Sequence, residues 1–171
     1  MYQRPPVRPR SAVGVPAAWE ALHRMPTPAD PTDRGLTHVA LPVTDVEASV
    51  AFYRRYADME VVHRRHDADT DTTVVWLSDR TRPFVIVLIQ QAVVSHALGG
   101  FAHLGVGCES RAEVDGRCER AREEGWEVFG PTDSGEPVGY WSIIADPDGH
   151  NLELSYGQEV GLTVAQAGGP E

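Results

Sequence analysis

Between residues 36 and 156, apolar and polar positions alternate in a pattern that occurs twice. The first copy, THVALPVTDVEASVAFYRRYADMEVV, covers residues 37–62, and the second, AHLGVGCESRAEVDGRCERAREEGWEVF, covers residues 102–129. Each copy begins with a short apolar run of strand type, continues with about a dozen residues of helical periodicity, and ends in a second apolar run. An internal repeat of this length indicates one supersecondary unit that is used twice.

Helix-start signals occur at the same place in both copies. Thr44 and Glu47 in the first copy, and Ser110 and Glu113 in the second, have the spacing of a capping box. In a capping box, two side chains satisfy the free backbone amides at the start of a helix. We therefore expect one helix after the first strand of each copy, and Gly125 is suited to end the second helix.

Two further apolar runs follow each predicted helix, and they read as strands. They are TTVVWL (72–77) and PFVIVLI (83–89) in the first copy, and YWSIIA (140–145) and NLELSY (151–156) in the second. An Asp-Pro-Asp-Gly stretch between the last two is typical of a turn. The pattern predicts an α+β fold of two tandem βαβββ modules, residues 36–95 and 96–157, which form a cupped mixed sheet.

The two ends of the chain differ from this pattern. Residues 1–35 contain seven of the thirteen prolines, which predicts an extended, Pro-rich N-terminal arm. Residues 158–171 end in small and polar side chains, and we expect them to form a flexible tail.

Three side chains with metal-binding chemistry interrupt the apolar runs. His38 and His103 lie 65 residues apart at matching repeat positions, and Glu153 stands between two leucines of the last strand. A buried carboxylate is costly unless it is paired or bound to a cation. A lone histidine in an apolar strand is more often a core residue with satisfied hydrogen bonds. Two histidines at matching positions together with a glutamate, however, form a 2-His-1-carboxylate set, which is typical of non-haem Fe(II).

Composition and charge exclude several classes of function. The formal net charge is −10, and no run of basic residues offers a surface for nucleic acid or for an anionic membrane. No apolar run approaches the roughly 20 residues that span a bilayer, and the N-terminus lacks the apolar segment of a secretory signal, so we expect a cytoplasmic protein. Cys108 and Cys118 lack the spacing of a zinc or redox site and are expected to be reduced thiols.

The stretches THVALPVTDVEASVAFYRRY, FAHLGV and DPDGHNLEL make the chain resemble the vicinal oxygen chelate superfamily over residues 36–156. This superfamily includes glyoxalases, extradiol dioxygenases, epimerases and antibiotic-resistance proteins. The resemblance implies a glyoxalase-like fold of paired modules, a divalent metal bound by His38, His103 and Glu153, and a homodimer. The modules can pair within one chain or by exchange between two chains.

Two departures from the family pattern bear on the reaction. Many members have a metal ligand or a catalytic histidine on the last strand of the first module, where the best-aligned residue here is Val87. A shifted register would offer Gln90 as a fourth ligand instead. Extradiol enzymes resemble one another in a tyrosine ten residues before the glutamate, and that position is Ile143 here. By strand parity, we expect Val87, Trp141 and Ile143 to line an apolar substrate pocket beside the metal.

These observations lead to three functional hypotheses. The leading one is a metal-dependent enzyme with Fe(II) dioxygenase-like chemistry on a small oxygen-bearing molecule, because the triad is intact and a fourth ligand is absent. The second is a glyoxalase-type lyase or isomerase that uses Mn, Zn or Ni and takes its base from His150, Tyr140 or Gln90. The third is an antibiotic-binding resistance protein without turnover, which would not need the triad.

Overall fold

The computed structural model describes residues 35–167. The predicted extended arm therefore lies, except for Gly35, outside the described residues, as do the last four residues of the predicted tail. Within the described part of the chain, no helix is long and apolar enough to cross a membrane.

The first module contains a four-stranded sheet in the order β1-β4-β3-β2, with β1 and β4 parallel and the other neighbours antiparallel. Its elements are β1 (His38–Val43), α1 (Val46–Ala57), β2 (Glu60–Asp67), β3 (Thr72–Ser78) and β4 (Val85–Gln90). The helix covers one face of this sheet, and no other helix in the described part of the chain covers the opposite face.

The second module repeats this arrangement in the order β5-β8-β7-β6, with β5 and β8 parallel. Its elements are β5 (Leu104–Gly107), α2 (Arg111–Glu123), β6 (Val128–Asp133), β7 (Tyr140–Ala145) and β8 (Asn151–Tyr156). The prediction of an α+β fold built from two βαβββ modules is confirmed. A further helix, α3 (Val160–Ala167), occupies part of the segment expected to be a flexible tail, and its side chains are exposed.

The two helix starts are capped differently from each other. At α2, Ser110 accepts a hydrogen bond from the amide of Glu113, as the capping box predicts. At α1, the prediction of Thr44 as the cap is wrong, because Asp45 accepts from the amides of Glu47 and Ala48. An aspartate side chain caps a helix at least as well as threonine does.

Both modules bury their helix-facing strand residues in one continuous core. Leu77, Leu88, Leu152 and Leu154 are almost completely buried there. Each such side chain contributes roughly 1.5–3 kcal/mol by leaving water. Cys118 is buried in the same core and Cys108 is half-buried at its edge, and both thiols are free.

The modules contact each other on the helix side of their sheets. The ring centroids of Phe52 and Trp126 lie 5.3 Å apart, edge to face. The hydroxyl of Tyr56 donates to Glu124 (2.6 Å), and Arg117 donates to the carbonyl oxygen of Tyr56 (2.6 Å). This junction lies on the sheet faces opposite to those that carry His38 and His103.

Candidate functional site

A cavity of about 480 Å³ lies on the face of the second sheet that points away from α2. Its walls are mostly apolar and include two carboxylates, but no arginine or lysine is among the described residues that line it. The lining residues are Gly100, Phe101, His103, Glu127, Phe129, Ser134, Val138, Trp141, Ile143, Ala145, Asn151 and Glu153. Such a cavity suits a cation or an uncharged apolar group better than an anion.

Sheet register sets the neighbours of Glu153 in this cavity. Glu153 pairs with Gly105 on one side and with Ile143 on the other, and Ile143 pairs in turn with Phe129. A Cβ atom at Gly105 would meet no heavy atom within 4 Å, so space is open beside the carboxylate. Glu153 itself is only 6% exposed, although the cavity reaches it.

His103 is oriented toward Glu153 by a backbone contact. Its Nδ1 lies 2.8 Å from the carbonyl oxygen of Phe101, which accepts a hydrogen bond from that nitrogen. The other nitrogen, Nε2, lies 3.5 Å from Oε2 of Glu153, and in the neutral ring it carries the lone pair. A hydrogen bond from one ring nitrogen to a backbone carbonyl is the usual way in which a metal-binding histidine is held.

The spacing and chemistry of this pair fit a shared divalent cation. A distance of 3.5 Å is longer than a typical hydrogen bond between nitrogen and oxygen. Two ligands that each lie ~2.1 Å from a metal, at tetrahedral or right angles, are separated by about 3.0–3.4 Å. Imidazole nitrogen and carboxylate oxygen are both good donors for first-row divalent metals.

Gln158 also belongs to the site, although no sequence motif indicates it. Its Nε2 donates to Oε1 of Glu153 at 2.8 Å, so the carboxylate has one oxygen occupied and the other directed to His103. The residue lies beyond the last strand, in a segment whose composition indicates a tail. The signal that could have found it is Gly157, since a glycine directly after a strand allows the chain to turn back.

His38, the third predicted ligand, is not brought to the other two within one chain. It lies on β1, paired with Val85, and its Nδ1 is 3.1 Å from the hydroxyl of Thr37. Among residues 35–167, no three His, Cys, Asp or Glu side chains are grouped closely enough to hold a metal. Within one chain, the described residues therefore provide the pair His103 and Glu153, and His38 stands exposed on the other module.

The three predicted pocket residues are also divided between the modules. Trp141 and Ile143 line the cavity. Val87 does not line it, but lies between Ala40 and Trp76 on the first sheet. This place corresponds to that of Glu153 on the second sheet, so the first module has no donor at the equivalent position.

Gln90, the alternative fourth ligand, and His150, a candidate base, do not line the cavity. Gln90 pairs with the buried Val43, on the face of its sheet opposite to His38. Nδ1 of the buried His150 accepts from the amide of Leu98, and its Nε2 lies 2.8 Å from the carbonyl oxygen of Pro42. This histidine connects the two modules and is not part of the cavity.

Tyr140, the remaining base candidate, packs on α2 instead of facing the cavity. Its hydroxyl donates to Asp115 at 2.6 Å, and this hydrogen bond is the main reason why the pKa of Tyr140 is raised. Glu127, which the sequence analysis did not consider, does line the cavity. Glu127 lies just before β6 and outside any periodic pattern, so the sequence does not indicate the direction of its side chain.

Comparison with known proteins gives one family and several relatives. The family profile of the Glyoxalase/Bleomycin resistance protein/Dioxygenase superfamily matches residues 35–154. An uncharacterized protein of Pseudomonas aeruginosa is 36% identical over 129 residues, which cover 74% of this chain and 91% of that protein. A lactoylglutathione lyase of Salmonella typhimurium is 27% identical over 133 residues, which cover 74% of this chain and 95% of the lyase.

A solved structure of similar fold is that of a fosfomycin resistance protein, FosX, from Listeria monocytogenes, in complex with Mn(II) and 1S,2S-dihydroxypropylphosphonic acid. The TM-score is 0.61 at 20% identity, and the alignment covers 76% of this chain and 97% of that chain. The likeness supports the fold.

Proposed function

Because the chain belongs to the Glyoxalase/Bleomycin resistance protein/Dioxygenase superfamily, we propose that it is a metal-dependent enzyme acting on a small oxygen-bearing organic molecule. The observation that carries this proposal is the pair His103 Nε2 and Glu153 Oε2, which lie 3.5 Å apart at an apolar cavity. When bound, a divalent ion supplies a Lewis acid that accepts neighbouring oxygens of the substrate.

His103 and Glu153 would hold the metal together with His38 of a second copy of the chain. Within one chain, His38 is exposed on a sheet face that no described helix covers, and the cavity on the second sheet is bordered by exposed apolar side chains. Phe101 is 97% exposed and Phe129 62% exposed, which is unusual for large apolar residues unless something else covers them. A homodimer that brings the first sheet of one copy onto this cavity covers both features and completes the ligand set.

The cavity walls indicate how a substrate is held. Phe129 and Trp141 form a tilted aromatic pair with centroids 5.7 Å apart, and the indole Nε1 of Trp141 donates to Ser134. This hydrogen bond fixes the plane of the indole ring. Together with Ile143, the pair offers an apolar wall that excludes water and orients an aromatic or aliphatic substrate body.

The donor set favours Fe(II) dioxygenase-like chemistry as the subclass. Two histidines and one carboxylate leave several coordination positions open, as non-haem Fe(II) oxygenases require. Val87 adds no fourth donor at the position equivalent to Glu153, so the first sheet would contribute only His38 to a bound Fe(II) ion.

The relatives favour a glyoxalase-type lyase or isomerase as the second candidate, since one of them is named a lactoylglutathione lyase. This chemistry needs a group that moves a proton. Glu127 is the one carboxylate besides Glu153 among the described residues that line the cavity, and we assign the base to it in this case. The contacts of His150 and Tyr140 leave neither of them free for that role.

Metal content tests the proposed function directly. The protein is purified without oxygen, beside His103→Ala and a matched control, His66→Ala, whose side chain lies in an exposed hairpin. We expect about one metal ion per chain in the wild type and the control, and almost none in His103→Ala. Iron with oxygen uptake on catechols supports the dioxygenase-like subclass, whereas zinc, nickel or manganese supports the lyase. A wild type that binds no metal after reconstitution contradicts the proposal and supports ligand binding without turnover.

Complementation tests whether the ligands come from two copies. His38→Ala and His103→Ala each lack one ligand in every site, so neither should bind metal when refolded alone. A dimer refolded from both variants has one intact site if the ligands are shared between copies. It has none if each chain builds its own site. Recovery of about half the wild-type metal per mixed dimer is the expected result, and no recovery would contradict the shared site.

A further inference from the structure

We propose that Gln158 is a positioning residue that holds Glu153 as a one-oxygen metal donor. The inference rests on the proposed function, since it concerns the same metal site. It adds a residue that no family pattern in the sequence indicates, because Gln158 lies beyond the last strand of the second module.

The contacts of the Gln158 side chain fix the orientation of its amide. Its Oε1 lies 3.2 Å from the hydroxyl of Ser155, and its Nε2 lies 2.8 Å from Oε1 of Glu153. A carboxylate only accepts hydrogen bonds, so the amide nitrogen must be the atom that faces Glu153. Ser155 is buried, and its hydroxyl also lies 3.3 Å from the carbonyl oxygen of Val106, which ties the group to β5.

A close backbone approach holds the turn that carries Gln158. Gly157 has φ +83°, a left-handed conformation that favours glycine and turns the chain back after β8. Gly139 lies against this turn so closely that a Cβ atom there would be 2.4 Å from the carbonyl oxygen of Tyr156 and 3.1 Å from the amide nitrogen of Gln158. Residues 156–158 are therefore seated on the loop before β7, and the position of Gln158 is set by the backbone.

The hydrogen bond divides the roles of the two oxygens of Glu153. Oε1 accepts from Gln158, and Oε2 is directed toward Nε2 of His103. A carboxylate held in this way donates through one oxygen and takes up one coordination position. A metal ion held through one oxygen would keep more of its coordination positions available to a substrate than one held through both oxygens. Without Gln158, the carboxylate can rotate or bind through both oxygens.

The test uses Gln158→Met, which keeps the length and packing of the side chain but removes the amide donor. The matched control is Gln91→Met, at an exposed residue that follows β4. Co²⁺ serves as the probe, because its visible absorption responds to coordination number. We expect the affinity for Co²⁺ to fall about 10–100-fold in Gln158→Met. We also expect its absorption to weaken as Glu153 becomes a two-oxygen ligand, with metal-free thermal stability close to that of the wild type.

The possible outcomes separate a failure of the positioning role of Gln158 from a failure of the proposed metal-dependent function. If Gln158→Met binds Co²⁺ with wild-type affinity and spectrum, the positioning role is wrong and the metal site stands. If both variants lose affinity equally, the effect is not specific to Gln158 and the inference is again overturned. If the wild type itself binds no Co²⁺, the inference and the proposed function both fall.

Discussion

Three neighbouring residues of different size determine the space and the hydrogen bonding around the Glu153 carboxylate. Gly105 leaves space on one side, Ile143 packs on the other, and Gln158 occupies one oxygen. The sequence predicted the carboxylate and its face from the two-residue period of a strand. It could not predict Gln158, because a contact made by a turn depends on backbone dihedrals that carry no periodicity.

Filling the space beside Glu153 should separate site function from stability. In Gly105→Val, the added side chain enters an open region, and a β-branched residue suits a strand. We expect thermal stability to be unchanged or slightly raised, while the affinity for Co²⁺ falls by about tenfold or more, ~1.4 kcal/mol. Equilibrium dialysis and thermal unfolding of the same samples measure both quantities.

Gly139→Ala is the contrasting variant, because Gly139 lies in close contact with other backbone atoms whereas Gly105 does not. Its Cβ would collide with the carbonyl of Tyr156, and its φ of +78° is strained for any L side chain. We expect a loss of about 1–3 kcal/mol in the free energy of unfolding. A Gly105→Val variant less stable than the wild type would contradict the open space described beside Gly105. A Gly139→Ala variant as stable as the wild type would contradict the close backbone contact described at Gly139.

At the scale of secondary-structure elements, the repeat predicted the strand and helix order of both modules. Apolar periodicity and turn composition were sufficient because each element buries one face against its neighbour. The start of α1 was predicted less well. Thr44 matches the capping pattern, but its hydroxyl and amide both bind Asp148, which is 104 residues away, and Asp45 caps the helix. A local pattern cannot reveal a partner so distant in the chain.

The role of Asp45 can be measured by its removal. In Asp45→Ala, the amides of Glu47 and Ala48 lose their acceptor. We expect the free energy of unfolding in urea to fall by about 1 kcal/mol, within a range of roughly 0.5–2. Asp69→Ala, in an exposed hairpin, is the matched control and should change little. An Asp45→Ala variant as stable as that control would show that another group caps the helix.

At the scale of the whole molecule, the modules meet on the helix side, and no helix within residues 35–167 covers either histidine-bearing face. The sequence placed His38, His103 and Glu153 on equivalent faces but could not decide whether one chain brings them together. That depends on which surfaces of two folded modules pack against each other, and sequence periodicity does not encode it. The junction contains ionisable groups with shifted pKa values, and these make the stability of the fold depend on pH.

Asp146 at this junction should make the fold less stable as pH rises. Burial is the main cause that raises its pKa above the usual 3.8, and it accepts a hydrogen bond from Tyr53 at 3.0 Å. The stabilising effect of a raised carboxyl pKa is complete below 3.8 and is lost as pH rises through the folded-state value. In urea titrations at increasing pH from about 4, the wild type should therefore lose stability relative to Asp146→Asn.

Glu124→Gln should show the opposite trend. Hydrogen bonds from Tyr56 and then Arg55 lower the pKa of Glu124 below 4.5, so its contribution is present above that value and is lost as pH falls through the folded-state pKa. The wild type should lose stability relative to Glu124→Gln on acidification. If the difference in stability between the wild type and either variant does not change with pH, the pKa direction given for that residue is wrong.

The hydrogen bond from His150 to Pro42 has a consequence for solubility. β1 is an outer strand of its sheet, and unpaired backbone groups along such a strand can recruit a strand from another molecule. Pro42 has no amide hydrogen, and its carbonyl oxygen accepts a hydrogen bond from His150. The next amide on the outer side of the strand is that of Thr44, and it donates to Asp148. The end of this strand is therefore closed to strand addition, which protects the newly folded chain from edge-to-edge aggregation.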